Sequence, residues 1–204
     1  MIDSSTIWLI AITDHIRDGQ TGLIARASAA ARGGASCIQL RLKDVSARDL
    51  VGLARELVRA VGVPVIVNDR ADVAIAAGAA GVHLGADDVP AAVIRRIAPE
   101  GFIIGVSVGN DAEAANSAGA DYAGIGPFFP TGSKSDAGHP IGPEGFSRLA
   151  ALAGLPAVAV GGVTAENAAI PIAAGATGIA VIGGVFGSSD PAGAARRLRS
   201  AIGK

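Results

Sequence analysis

The chain has 204 residues and carries 17 Lys and Arg against 18 Asp and Glu, for a net charge of −1. That length suits one well-cored domain, and so small a charge gives a nucleic acid no field to follow. Half of the residues are apolar but only 3% are aromatic, so there is no basic, aromatic-studded stretch on which bases could stack.

No uninterrupted apolar run approaches the roughly 18 residues of a membrane span. Met1 to Asp14 bears no leading positive charge and no small-residue cleavage site, so no signal peptide is expected. Cys37 is alone, which excludes an internal disulfide and a zinc-ligand cluster. The expectation is a cytoplasmic protein acting on small molecules, with neither nucleic acid nor membrane as partner. A homo-oligomer is left open.

Short β-branched apolar runs alternate with Ala-rich segments of helical period. The runs are Ile7 to Thr13, Cys37 to Arg41, Pro64 to Asn68, Gly81 to Leu84, Phe102 to Val106, Asp121 to Ile125, Pro156 to Val160 and Gly178 to Ile182. Helical stretches between them include Ala47 to Val61, Ala91 to Ile97, Ala165 to Ala174 and Ala192 to Ile202. Buried parallel strands read as near-continuous apolar runs, and about eight strand–helix units is the number that closes a parallel barrel. Three phrases, Ala77-Gly78-Ala79, Ala118-Gly119-Ala120 and Ala174-Gly175-Ala176, each read as helix end, Gly cap and strand start. An open doubly wound sheet would alternate in the same way, but the count favours the barrel. The fold predicted is an α/β protein, a single (β/α)₈ (TIM) barrel filling residues 1–204 as one catalytic domain.

Chemistry in such a barrel sits at the C-terminal strand ends, and polar residues collect there. After the second strand, alternation puts Gln39, Arg41 and Lys43 on the mouth side and Leu40 and Leu42 against the helices. After the third and fourth come Asn68-Asp69-Arg70 and His83-Leu84-Gly85-Ala86-Asp87-Asp88. Asp69 and Asp88 can serve together as oxygen ligands, since carboxylates plus substrate phosphates are how Mg²⁺ is usually held. Read singly, each is a helix-capping Asp. His83 reads as a proton donor or, equally well, a hydrogen-bonded structural residue, and Ser107 ends the fifth strand.

The loop from Gly126 to Gly142 is long for a compact domain, as active-site lids often are. Its Thr131-Gly132-Ser133-Lys134 offers hydroxyls, open backbone and a cation to an anion. His139 and Asp136 in the same loop read as solvated. Glycine pairs end the seventh strand (Gly161-Gly162) and, beside Ile182, the eighth (Gly183-Gly184). Their backbone N–H groups can approach a phosphate closely, at the recurrent phosphate site of this fold. A tight turn with positive φ explains such pairs equally, and a Val at Gly183 is expected to block the phosphate site, by filling the space needed for close approach and by disfavouring positive φ.

These strings resemble the thiamine phosphate synthase family. Gln39-Leu40-Arg41-Leu42-Lys43, Asn68-Asp69-Arg70, Gly81-Val82-His83-Leu84-Gly85 with Asp88, Gly105-Val106-Ser107, Gly126-Pro127-Phe128-Phe129-Pro130-Thr131, Lys134 and Gly161-Gly162-Val163-Thr164 follow in register from about Thr13 to Pro191. The resemblance implies condensation of hydroxymethylpyrimidine diphosphate with thiazole phosphate, giving thiamine phosphate and pyrophosphate. It implies that Gln39, Arg41, Lys43 and Asn68 bind the pyrimidine diphosphate, that Ser107 touches the pyrimidine side, and that Asp69 and Asp88 hold Mg²⁺. Lys134 would reach the pyrophosphate, and Thr131 and Ser133 the thiazole, with its phosphate at Gly162, Ile182 and Gly183. Arg41, Lys43, Lys134 and Ser107 are the implied catalytic set. The lid is expected to be mobile without substrate and ordered through Lys134 with it.

Three positions depart from the family pattern. Leu42 stands where an acidic residue is common, Gly183 where a Ser is common, and the lid reads Thr-Gly-Ser-Lys. The related thiazole tautomerases usually lack the Gln and the second Asp and carry a His before the lid. Here Gln39, Asp88 and Pro127 stand at those positions, which favours the synthase. A non-catalytic phosphate-binding barrel is the remaining alternative.

Overall fold

The computed structural model of the protein describes residues 2–13, 18–132 and 138–204. The eight apolar runs are eight parallel strands: β1 (Leu9–Ile12), β2 (Cys37–Leu40), β3 (Val65–Asn68), β4 (Gly81–Leu84), β5 (Ile103–Val108), β6 (Tyr122–Ile125), β7 (Ala157–Val160) and β8 (Gly178–Val181). They pair in chain order, and β1 pairs with β8 to close the barrel. The open doubly wound sheet is thereby excluded.

Helices α1 (Gly19–Arg32), α2 (Ala47–Ala60), α3 (Ala71–Ala77), α4 (Ala91–Arg95), α5 (Asp111–Ala115), α6 (Gly142–Ala153), α7 (Ala169–Ala173), α8 (Gly183–Phe186) and α9 (Pro191–Ala201) lie between and after the strands. The layer between sheet and helices explains the outward-facing residues. Leu9, Ala11, Ile38, Leu40, Val65, Val67 and Val82 are buried there beneath the helices. In α2, Leu50, Leu53, Ala54 and Leu57 follow the i, i+3, i+4, i+7 spacing that lays one stripe on the sheet. Its start is fixed by Ser46, whose hydroxyl accepts from the N–H of Asp49 (3.2 Å). Two of the three repeated junctions behave as read: Gly78 caps α3 and Gly175 directly follows the cap of α7, at φ 70° and 96°, whereas α5 is capped by Asn116 and Gly119, at φ 89°, makes a separate turn before β6.

Boundaries shift where side chains intervene. Ile7 closes a 3₁₀ turn (Ser4–Ile7) rather than opening a strand, because Asp3 accepts from the N–H of Ser5 and starts the turn. β5 runs two residues past Val106, because pairing with β6 continues to Val108 opposite Ile125. α7 begins at Ala169 rather than Ala165. Asn167 accepts from the N–H of Thr164 (2.8 Å) and donates to the carbonyl of Gly162 (3.0 Å), holding that segment as a loop.

The interior of the barrel is filled from below by Ile7, Ile10, Cys37, Ile66, Tyr122, Val158 and Ala180. Only residues nearer the C-terminal strand ends can reach a ligand. Close approach of β4 to β5 depends on Gly81, where a Cβ would lie 2.1 Å from the carbonyl oxygen of Ile103. The atoms met are the backbone and Cβ of Ile103, with no flexible side-chain end to give way, so Gly81→Ala should destabilise by about 2–3 kcal/mol through overpacking. That corresponds to roughly 5–10 °C in melting temperature. Thermal unfolding checks it, and an unchanged midpoint would show that β4 and β5 can separate freely.

Candidate active site

The C-terminal strand ends open into a cleft of about 740 Å³. Arg41, Lys43, Asn68, Asp69, Asp88, Ser107, Thr131, Gly162, Ile182 and Gly183 all line it. A small cavity of about 30 Å³ lies in the barrel interior, where Gln39, His83 and Tyr122 meet Arg41, Asn68 and Ser107. Arg41, Asn68, Ser107 and Ile182 line both spaces, so the two are layers of one site.

The β2 end is built by Thr13. Its buried hydroxyl donates to the carbonyl of Arg41 (2.9 Å) and accepts from the N–H of Arg41 (2.8 Å), while its own N–H donates to the carbonyl of Gln39 (2.9 Å). A threonine with no assigned role in the sequence thus sets where the Arg41 guanidinium starts from. Gln39 does not stand at the open mouth. It is 3% exposed and donates through Nε2 to Oδ1 of Asn68 (2.7 Å), because β2 turns Gln39 into the barrel one layer below Arg41. Arg41 is half-buried in the cleft wall and Lys43 is exposed.

Neither Asp69 nor Asp88 caps a helix. The cap of α3 is Arg70 and that of α4 is Pro90. Asp69 instead sits at φ 64°, at the apex of a tight turn closed by the N–H of Arg70 on the carbonyl of Asn68 (2.8 Å). A non-glycine residue is strained there, and such strain gathers at functional sites. Arg70 forms a two-pronged pair with Asp72 (2.9 and 2.6 Å), and that contact holds the Asp72 carboxyl below the usual range. Asp88 accepts from the N–H of Gly85 through Oδ2 (2.6 Å). Among the described residues no group of three or more His, Cys, Asp or Glu could hold a metal. Two carboxylates on one cleft wall are therefore a donor set that suits Mg²⁺ only when a ligand's phosphate oxygens and water complete the octahedron.

The two glycine pairs differ. Gly161 and Gly162 have φ 96° and 64°, and a Cβ on Gly162 would lie 2.5 Å from the carbonyl oxygen of Pro130. That close approach exists because the lid base is stitched to β7: Phe128 N–H donates to the carbonyl of Val160 (2.8 Å) and Phe129 N–H to that of Gly161 (3.1 Å). Gly183 and Gly184 have no positive φ, and a Cβ on Gly183 would meet nothing within 4 Å. The tight-turn reading fails at Gly183, because α8 begins there and takes helical backbone.

Thr131 and His139 line the cleft from the lid, so His139 does not stand apart from the site. Ser133, Lys134 and Asp136, and with them the expected anion clamp, lie outside the described residues. Asn110 and Glu113 also face the cleft, a pair the sequence reading did not single out. The signal was there in Asn110-x-x-Glu113, a helix-start pattern. Asn110 accepts from the N–H of Glu113, and Glu113 accepts from the N–H of Gly109 and the amide of Asn110 (both 2.6 Å). Both side chains are thus committed to the start of α5. His83 is half-buried between Tyr122 and Ser107, in the structural position that was one of its two readings.

The model of the thiamine monophosphate synthase family matches residues 9–185. The chain belongs to that family. It is 53% identical over 201 residues to a thiamine-phosphate synthase of Methanoculleus marisnigri, covering 95% of this chain and 94% of the relative. It is 50% identical over 196 residues to the thiamine-phosphate synthase of Roseiflexus sp. strain RS-1, covering 94% and 83%. Among solved structures, thiamine phosphate pyrophosphorylase from Pyrococcus furiosus superposes with a TM-score of 0.85 at 37% identity, over 98% of this chain and 97% of that one. The chain is thus a transferase-family enzyme of thiamine biosynthesis, and the tautomerase and non-catalytic alternatives are not favoured. Among the described residues no helix is long and apolar enough to cross a membrane.

Proposed function

We propose that this chain joins hydroxymethylpyrimidine diphosphate to thiazole phosphate, releasing pyrophosphate and forming thiamine phosphate, as one catalytic domain over residues 1–204 in the cytoplasm. The observation that carries the reading is the polarity of the cleft. Arg41, Lys43, Asn68, Asp69, Asp88 and Ser107 line one wall from the ends of β2 to β5, and Gly162, Ile182 and Gly183 line the other from the ends of β7 and β8. The first wall suits a diphosphate and its heterocycle, the second a phosphate monoester held by backbone N–H groups.

The chemistry matches these residue types. The methylene carbon–oxygen bond breaks and its electron pair leaves with pyrophosphate. The electron-rich aminopyrimidine stabilises the resulting cation, and the thiazole nitrogen forms the new carbon–nitrogen bond with its own lone pair. No proton has to be removed, so His83 is not needed as a base. Charge develops on the leaving group, where fixed cations stabilise the transition state most. Arg41 and Lys43 would bind that charge, joined by Lys134. Asp69 and Asp88 would hold Mg²⁺, which when bound neutralises the leaving pyrophosphate as a Lewis acid. Thr131 and Ser133 would orient the thiazole.

Incubation with both substrates and Mg²⁺, following thiamine phosphate and pyrophosphate together, tests the reading. Equimolar formation is expected. Binding of both substrates without turnover would instead support a phosphate-binding barrel.

Gly183 gives a second test. Space around it is open, so Gly183→Ser should fold normally and tighten thiazole phosphate binding by about tenfold through one added hydrogen bond to a charged group. Gly183→Val fills the same space with apolar surface and should raise the KM for thiazole phosphate while leaving that for the pyrimidine diphosphate unchanged. Normal KM values for both in Gly183→Val would place the phosphate elsewhere.

A further inference from the structure

Taking the proposed reaction as the setting, we infer that a buried chain running Tyr122, His83, Ser107 fixes the tautomer of His83 and makes Ser107 a hydrogen-bond donor toward an acceptor nitrogen of the pyrimidine. Tyr122 and His83 are then positioning residues, acting on substrate only through Ser107.

The strands are cut to make room for this chain. In register, His83 on β4 stands beside Gly105 on β5, which stands beside Tyr122 on β6. Equivalent positions in a parallel ladder point to the same side, so a side chain at Gly105 would separate His83 from Tyr122. Gly105 has none, and a Cβ there would lie 2.2 Å from the Tyr122 ring. Across that gap the Tyr122 hydroxyl reaches Nδ1 of His83 at 2.9 Å. One step higher, Ser107 stands beside Gly124, where a Cβ would lie 3.0 Å from Cε1 of His83. Over that second gap Nε2 of His83 reaches Oγ of Ser107 at 3.0 Å.

Proton placement follows from the bottom of the chain. Tyr122 is 1% exposed, packed with Ile10, Ile66, Val158 and other apolar interior residues. Burial, with Cys37 and Asp121 adding to it, holds its phenol well above the ordinary value, so the hydroxyl keeps its proton. That proton is satisfied if the hydroxyl donates to Nδ1. The reverse bond, from an Nδ1–H to the phenol oxygen, would leave a buried hydroxyl proton with no side-chain acceptor among the described residues, which is the unfavourable arrangement. Nδ1 therefore accepts and Nε2 carries the hydrogen. Nε2 donates to Ser107 Oγ, whose own hydrogen turns into the cleft that Ser107 lines. With the other tautomer Ser107 would spend its hydrogen on His83 and offer the cleft only an acceptor. The buried tyrosine thus selects which face of the aminopyrimidine Ser107 can recognise.

Two measurements decide this. Nitrogen-15 NMR of the three-histidine chain, with His83 assigned by its absence in His83→Gln, should show a neutral ring protonated at Nε2. An Nδ1-protonated or doubly protonated ring overturns the inference. This readout needs no turnover, so it stands apart from failure of the proposed reaction, which would show as absent thiamine phosphate in the unmodified enzyme. In kinetics, Tyr122→Phe removes only the hydroxyl and should lower kcat/KM for the pyrimidine diphosphate by about three- to tenfold, the worth of one neutral hydrogen bond, with the KM for thiazole phosphate unchanged. His83→Leu should lower it as much or more, and His83→Gln, which keeps an N–H near the Nε2 position, should recover most of the loss. On a Ser107→Ala background Tyr122→Phe should add almost nothing. A full, additive loss on that background would mean that Tyr122 acts through packing and not through Ser107.

Discussion

Asp69→Asn is expected to lower kcat by about two to three orders of magnitude, the scale of losing a group that stabilises developing charge, while leaving the melting temperature close to that of the unmodified chain. The choice of Asn follows from the backbone. Asp69 is held at φ 64°, a conformation that Asn tolerates better than other residues with a Cβ. Asp69→Ala would mix loss of charge with loss of turn geometry, and the N–H of Asp69 bonded to the carbonyl of His83 (2.7 Å) would feel both. In Asp69→Asn only the charge goes. Excess chelator should abolish turnover of the unmodified enzyme and added Mg²⁺ should restore it. Because Asp88 already spends one oxygen on the Gly85 N–H, Asp88→Asn should weaken apparent Mg²⁺ affinity and also loosen its own loop, so its effect should be partly recovered at high Mg²⁺. Full turnover in chelator, or in Asp69→Asn, would remove the metal from the account.

The barrel was legible because each strand is an unbroken apolar run and the helix-to-strand junction recurs. Burial on both faces of a parallel strand leaves that mark in the sequence. Most of the cleft was legible for a related reason: polar residues that alternate at the end of such a run turn to the barrel axis, toward the C-terminal end. Depth was not legible. Gln39 and Arg41 look equivalent in an alternating string, yet two residues of strand rise put Gln39 in the buried layer with Asn68 and Arg41 at the wall. Nor could one sequence show which glycines are forced. Gly162 is forced by the lid base pressing against it and Gly183 is not, a difference set by Phe129 and Pro130, far from Gly162 in sequence. The roles of Thr13 and Tyr122 were hidden because each acts through a hydrogen bond to a distant strand, which no local pattern encodes.

Arg41→Gln is expected to lower kcat/KM for the pyrimidine diphosphate by about a hundred- to a thousandfold, with little change in stability. Arg41 lines both the cleft and the inner cavity, so its guanidinium works where water is partly excluded and charge interactions weaken least. A guanidinium offers a planar fork of donors that matches two phosphate oxygens at once, which Gln cannot reproduce and an ammonium reproduces only as a point charge. Arg41→Lys should therefore retain part of the binding but fall well short of the original rate. Position matters as much as charge. The paired hydrogen bonds between Thr13 and the Arg41 backbone fix where the side chain starts, so Thr13→Val should reproduce a fraction of the loss, about tenfold, without altering any charged group. Steady-state kinetics with each substrate varied in turn separates these effects. If Arg41→Gln raised the KM for thiazole phosphate and spared the pyrimidine diphosphate, the two walls of the cleft would have to be exchanged.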